Sequence, residues 1–170
     1  MIAPRSHLVF CSLVAASVLF GCWASDALAQ SEESAPRAAQ TKMKKAAPAV
    51  HKVAIQVDQN DKGVMDLALN NARNIIDYYK DKGEPVAIEI VTYGPGLHML
   101  RTDTSPVKDR IAPMALENPN IKFIACGNTQ ANQSKAEGKP ISLISEAKVM
   151  PSGVVRLIEL QKQGYAYIRP

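Results

Sequence analysis

The sequence predicts an α/β fold, a three-layer sandwich with a mostly parallel sheet of about five strands and helices on both faces. Three observations predict it. Short runs rich in Val and Ile, "HKVAIQVD", "PVAIEIVTY" and "IKFIAC", have the length and β-branched content of buried strands. Longer segments with apolar residues at helical spacing, "GVMDLALNNARNIIDYYKDKG" and "SGVVRLIELQKQG", separate or follow them. Alternation of the two kinds implies right-handed crossovers, which lay helices over both faces of a parallel sheet.

In chain order, "HKVAIQVD" is the first strand, stopped by the polar "QNDKG". The helix after it repeats Val64, Ala68, Ala72, Ile75, Ile76 and Tyr79, with Leu69 beside them, and Gly83 closes it. Asn70, Asn71 and Asn74 crowd the same helix. They are unfavourable there unless they face a polar partner, so they are expected to mark a hydrogen-bonded contact with a loop or another chain. "PVAIEIVTY" is the second strand, ended by "GPG" and a short turn "LHML". "SPVKDRIAPMALEN" starts a helix with Ser105 as cap and Pro106 at the first position, and Pro113 predicts a kink or an early end. "IKFIAC" is the third strand and "GNTQANQSKAEG" a polar helix. "KPISLI" has no clear signal, and "AKVMP" is a short fourth strand. The last helix puts Val154, Leu157, Ile158 and Gln161 on one face, and "YAYIR" is the terminal strand.

Residues 1–29 are expected to be a signal peptide. Arg5 and His7 form a short n-region, an uncharged apolar run covers residues 8–23, and Ala27-Leu28-Ala29 is a small-x-small cleavage site. The run is short of the ~20 apolar residues a bilayer requires, so no transmembrane helix is expected in the mature form. "LFGC", ending at Cys22, is a competing lipoprotein signal. Cleavage after Ala29 is preferred because Phe20 is bulky for lipidation. The expected location is periplasmic or secreted, with anchoring through Cys22 as the alternative. Residues 30–50, rich in Ala, Pro, Lys and Glu, read as a flexible tether in which Lys42, Lys44 and Lys45 are solvated. Residues 51–170 make one domain.

Composition excludes several classes. The formal net charge of +4 is spread over scattered lysines and arginines, and aromatics make up only 5%, so no nucleic-acid face forms. The first strand-to-helix turn, "DQNDKGVMD", lacks both G-x-G-x-x-G and a Walker lysine, which argues against a dinucleotide or nucleotide cofactor. Cys126 and His98 offer too few strong ligands, and neither C-x-x-C nor H-x-x-x-H occurs, so no metal is expected.

In open α/β sheets, chemistry gathers beyond the carboxyl ends of the strands. Three loops meet there: "DQNDKG", "GPGLHML" and "CGNTQ". Of the three cysteines, Cys11 and Cys22 lie in the signal segment. The exported domain therefore keeps only Cys126, and no intrachain disulfide is possible. A thiol at a helix start meets unpaired N–H groups and the positive end of the helix dipole, both favouring the nucleophilic thiolate. Gly127 allows close backbone approach, and Asn128 or Thr129 can cap the helix. Gly94, Pro95 and Gly96 suggest a tight loop that brings N–H groups to a ligand or to the thiol. His98 is a candidate base or donor to Cys126 if the loops converge. The competing reading has Cys126 packed as a small hydrophobe, the two loops as plain turns, and His98 on the solvent side.

Through "LALNNARNII", "VAIEIVTYGPGLHML", "FIACGNTQ" and "VMPSGVVRLIELQKQGYAYIRP", in that order, the domain resembles the DsrE/DsrF-like family over essentially all of residues 51–170. The resemblance implies an α/β sandwich assembled as a homo-oligomer, a trimer or hexamer. It also implies that Cys126 sits where several relatives carry sulfane sulfur as a persulfide. The function expected on this basis is an exported sulfur carrier or sulfurtransferase-like protein with no cofactor. Its partners would be thiol-bearing donor and acceptor proteins, since the domain has no second cysteine to complete a dithiol cycle. The alternatives are a non-catalytic oligomeric binding or assembly module with an inert cysteine, and redox sensing by sulfenylation.

Overall fold

The computed structural model describes residues 49–170. The readings of signal peptide, lipidation at Cys22 and nearly all of the tether lie outside the described residues. The elements are β1 (His51–Val57), α1 (Lys62–Asp81), β2 (Val86–Thr92), a 3₁₀ helix (Gly94–Leu100), α2 (Lys108–Glu117), β3 (Ile121–Cys126), α3 (Gly127–Glu137), β4 (Ala147–Met150), α4 (Gly153–Lys162) and β5 (Ala166–Ile168). The strands form one sheet in the order β4-β3-β2-β1-β5, with every pair parallel.

That order explains the layers. The connections from β1 through β4 step one way across the sheet, and the connection through α4 returns across its whole width to β5. Right-handed crossovers therefore put α4 on the opposite face from the other helices. The two cores agree. On one face Val53, Ile55, Val57, Ile88, Ile90 and Phe123 meet Met65, Leu69, Leu97, Leu100 and Ile111. On the other, Ala54, Val91 and Ile124 meet Leu157 and Leu160. The sequence-predicted α/β sandwich with helices on both faces is the observed architecture.

Individual elements differ from expectation for identifiable reasons. Asp61 caps α1 by accepting from the Val64 N–H at 2.9 Å. The buried stripe of α1 is Met65, Ala68, Leu69, Ala72 and Ile76, which leaves Val64 at its edge. Asn70 has its polar partner within the chain, accepting from Arg110 Nη2 at 2.7 Å. Ser105 does not cap α2. Its hydroxyl donates to the Met99 carbonyl at 2.6 Å, and the helix starts after the buried Val107. Pro113 stands inside α2, which runs past it to Glu117.

The rotation of α4 is also corrected. Gly153, Leu157 and Leu160 turn inward, while Val154 and Ile158 are about half exposed. The cause is Glu89, a β2 carboxylate only 2% exposed. Arg156 meets it with two bonds, Nε to Oε2 at 2.9 Å and Nη2 to Oε1 at 2.7 Å, and this pair fixes which side of α4 faces the sheet. Removing one partner of a buried pair strands the other. Arg156→Met is expected to lose about 3 kcal/mol in urea unfolding, toward the low end for such a pair because Lys122 stays 3.7 Å from Glu89. The double variant Glu89→Met/Arg156→Met is expected to regain most of that loss.

Candidate functional site at the carboxyl edge of the sheet

Cys126 is the last residue of β3 and itself holds the N-cap position of α3, with φ −75° and ψ 114°. Asn128 and Thr129, the expected caps, lie inside the first turn instead. The Asn128 N–H donates to the Pro151 carbonyl at 3.1 Å. A Cβ on Gly127 would stand 3.2 Å from the Met150 carbonyl oxygen, so a small residue lets the end of β3 pass close to β4. A Cβ on Gly153 would lie 3.3 Å from Cys126 Cβ and 3.1 Å from Tyr93 Cβ. The first residue of α4 thus packs directly on the cysteine, and two helix N-termini open at one sulfur.

The electrostatics follow from that placement. Burial pushes the Cys126 thiol up, because a thiolate loses hydration. Against it act the Thr129 hydroxyl and the N–H groups of Gly153, Thr129 and Asn128, and together they hold the thiol below its ordinary value. Every one of these donors is neutral. The N–H groups at the helix starts, that of Asn128 shared with the Pro151 carbonyl, supply what a lysine or histidine supplies elsewhere.

The "GPG" loop reaches the same place. Gly94 adopts φ +52°, and its N–H donates to Thr129 Oγ1 at 3.0 Å. Thr129 thus joins the loop to the first turn of α3 beside the cysteine. Gly96 abuts the end of β1, where a Cβ would fall 2.2 Å from the Val57 carbonyl oxygen. The three loops therefore do converge: Gly127, Asn128 and Thr129 follow Cys126 directly, Gly94 bonds to Thr129, and Gly96 lies against the end of β1. Pro95 opens the 3₁₀ helix and is exposed. His98 lies three residues beyond Pro95, which in a three-residue turn places both on the outer side. Its Nδ1 pairs with Thr104 Oγ1 at 2.7 Å. Among the described residues, no hydrogen bond joins it to Cys126.

Three participants escaped the sequence reading. Gly153 and Tyr93 form the wall beside Cys126, and the readable clue was Ser152 as N-cap, placing Gly153 first in α4. The third is Arg101, only 1% exposed. It is held by Asp103 (2.9 and 2.8 Å), by Glu137 (2.5 and 2.9 Å) and by Gln133 Oε1 (3.2 Å). These bonds hold the Arg101 guanidinium above its ordinary value and the carboxyls of Asp103 and Glu137 below theirs.

A cleft of about 570 Å³ lies at the other edge of the sheet, against the starts of β2 and β3, lined by Ile76, Val86, Ile88 and Ile121. Among the described residues, no three His, Cys, Asp or Glu side chains are grouped to hold a metal ion, and no helix is long and apolar enough to cross a membrane.

No protein-family model matches the chain, and no curated protein matches it. It is similar to the solved structure of MTH1491, a protein of unknown function from Methanobacterium thermoautotrophicum. The two are 30% identical, the match covers 71% of this chain and 99% of that one, and the TM-score is 0.60. The chain belongs to the family of that archaeal protein.

Thr129→Val keeps the shape and removes the hydroxyl. One hydrogen bond to a charged acceptor is ~1.5–3 kcal/mol, so alkylation of Cys126 at neutral pH is expected to slow at least about tenfold. A stopped-flow pH series would show the inflection moved upward. The linked stability effect has a definite sign. A depressed folded value means that ionisation of Cys126 stabilises the fold above the unfolded thiol value of ~8.5, and the gain is lost as pH falls through the folded value. Wild type is therefore expected to gain stability over Cys126→Ser as the pH of urea melts rises toward 9.

Proposed function

We propose that this is an exported sulfur carrier or sulfurtransferase-like protein, related to the DsrE/DsrF-like proteins, that holds sulfane sulfur as a persulfide on Cys126. The observation that supports it is the meeting of two helix N-termini and the Thr129 hydroxyl at that one sulfur. The Cys126 thiolate attacks the outer sulfur of a donor persulfide. The donor S–S bond breaks, a new S–S bond forms on Cys126, and the donor leaves as a thiolate. An acceptor thiolate then attacks the outer sulfur of the Cys126 persulfide and displaces the Cys126 thiolate. Electrons balance without an external oxidant, and the same N–H groups that favour the thiolate favour it as leaving group. The donor and acceptor thiols belong to partner proteins, and the chain works as a homo-oligomer, exported to the periplasm or beyond the cell.

One observation favours a second reading, a binding or assembly module with an inert thiol: Cys126 is only 5% exposed. Exposed Asn128 lies beside it, so the sulfur is near the surface though covered. The deciding experiment is intact mass of the mature domain after treatment with a polysulfide donor, alongside the alkylation rate. A gain of one sulfur atom that disappears in Cys126→Ser is expected. No mass gain, with the thiol protected until urea unfolds the chain, would overturn the carrier reading and leave the module.

A further inference from the structure

The outer face of α1 carries a stripe that the fold leaves uncovered. Leu67 and Tyr78 are 45% and 55% exposed, Asn74 is exposed and Asn71 half-buried. At helical pitch these four lie opposite the buried stripe of the same helix. Asn70 has its partner in Arg110, but among the described residues neither the Asn71 nor the Asn74 amide is hydrogen-bonded. Asparagine is unfavourable inside a helix, so two of them between two large apolar side chains make an unusual solvent face. The spacing of 67, 71, 74 and 78 is four, three and four, that of a coiled-coil seam. It also reads the same from either end, about a midpoint between Ala72 and Arg73. Such a seam is complementary to itself when two helices run antiparallel.

We propose that this stripe docks on the same stripe of a second copy of the chain, in an antiparallel two-fold contact between the two α1 helices. Leu67 of each copy packs on Tyr78 of the other, and Asn71 of each meets Asn74 of the other. The amides there donate and accept reciprocally, and they fix the register, since a slip of one heptad would set Leu67 against an amide. The Tyr78 ring is already ordered, with Lys82 Nζ 4.1 Å over it and donating to its hydroxyl at 2.6 Å, so packing on it costs little further freedom. Charge complementarity favours the same occupant. Arg110 is held beside the stripe by Asp66 at 2.6 Å and Asn70 at 2.7 Å. Asp77 follows Asn70 by seven residues, which places it on the same flank, and it is exposed with no ion pair among the described residues. Antiparallel pairing brings Arg110 of each copy to Asp77 of the other, twice by symmetry. The contact gives a surface to the homo-oligomer of the proposed function and rests on that part of it; sulfur on Cys126 is not needed.

The test is sedimentation of the mature protein over a concentration series, with cysteine trapping as a second measurement. Asn71→Asp/Asn74→Asp puts like charges at the centre of the contact and is expected to raise the dissociation constant at least about tenfold. Both side chains point away from the core, so the urea midpoint of that variant is expected to stay put. For trapping, Leu67→Cys and Tyr78→Cys are each made in Cys126→Ser and oxidised alone and mixed. The mixture is expected to form a cross-linked dimer and neither variant alone, because like positions lie ~16 Å apart along the paired helices. A monomer at every concentration would overturn the proposal. So would an oligomer unchanged in Asn71→Asp/Asn74→Asp but broken by Val154→Asp/Ile158→Asp on α4, or Leu67→Cys linking to itself. Sulfur loading is read separately by mass. A dimer formed equally by wild type and Cys126→Ser, with no sulfur gained by wild type, would sink the carrier reading and leave the contact standing.

Discussion

Helix α3 has no buried residue, so hydrophobic burial does not hold it in place. Hydrogen bonds from two adjacent stripes do. Thr129, Gln133 and Glu137 tie it to the 3₁₀ helix through Gly94 and Arg101. Gln130 donates to the Ile141 carbonyl at 2.8 Å, and Ser134 accepts from the Ile141 N–H at 3.1 Å, tying the other side to the segment before β4. Apolar packing tolerates small slides, because it is non-directional. Hydrogen bonds weaken steeply when bent. A helix fixed this way holds its first-turn N–H groups at a defined place, and that place is the sulfur of Cys126.

The opposite face of the sheet solves the same problem with different residues. Leu157 and Leu160 give α4 some apolar anchorage, but its rotation follows Arg156 onto Glu89. That rotation presents Gly153 to Cys126 and Tyr93. A buried ion pair adds little net stability, since desolvation offsets much of the attraction. What it adds is direction. Arg101 under one helix and Glu89 under the other are each almost fully buried and each fully partnered. The sheet thus aims two helix starts at one point from its two faces, with a buried charged group behind each.

Much of this was readable in the chain, and the remainder was not for physical reasons. Strand and helix order follows from periodicity, because β-branched runs and spaced apolar residues report burial directly. The convergence of the "GPG" and "CGNTQ" loops followed from the rule for parallel sheets. The rotation of α4 did not, since Val154 and Ile158 are as apolar as Leu157, and only the position of Glu89 in three dimensions tells them apart. His98 looked usable beside Cys126 because sequence distance hides the three-residue turn that sends it outward. Ser105 looked like a cap because a Ser-Pro pair suits that role, but the Met99 carbonyl claims its hydroxyl. Polar helix α3 was found, but its stripe of Thr129, Gln133 and Glu137 reads as a solvated face until Arg101 is seen behind it.

Burial and ionisation of Cys126 pull against each other, and the balance bears on what the sulfur can do. An apolar pocket would leave a protonated, inert thiol, and full exposure would leave an ordinary one. Cys126 is covered, yet its surroundings include N–H and O–H groups that offset the burial. Such a shell stabilises charge on sulfur without a counter-ion that would have to move or titrate. Its donors are backbone groups of α3 and α4 and one hydroxyl, all carried by regular elements of the fold. The same shell restricts access, so exchange with a partner thiol requires approach past exposed Asn128 and the start of α3. On the proposed carrier reading, such a cover favours exchange with a fitted partner over exchange with free thiols.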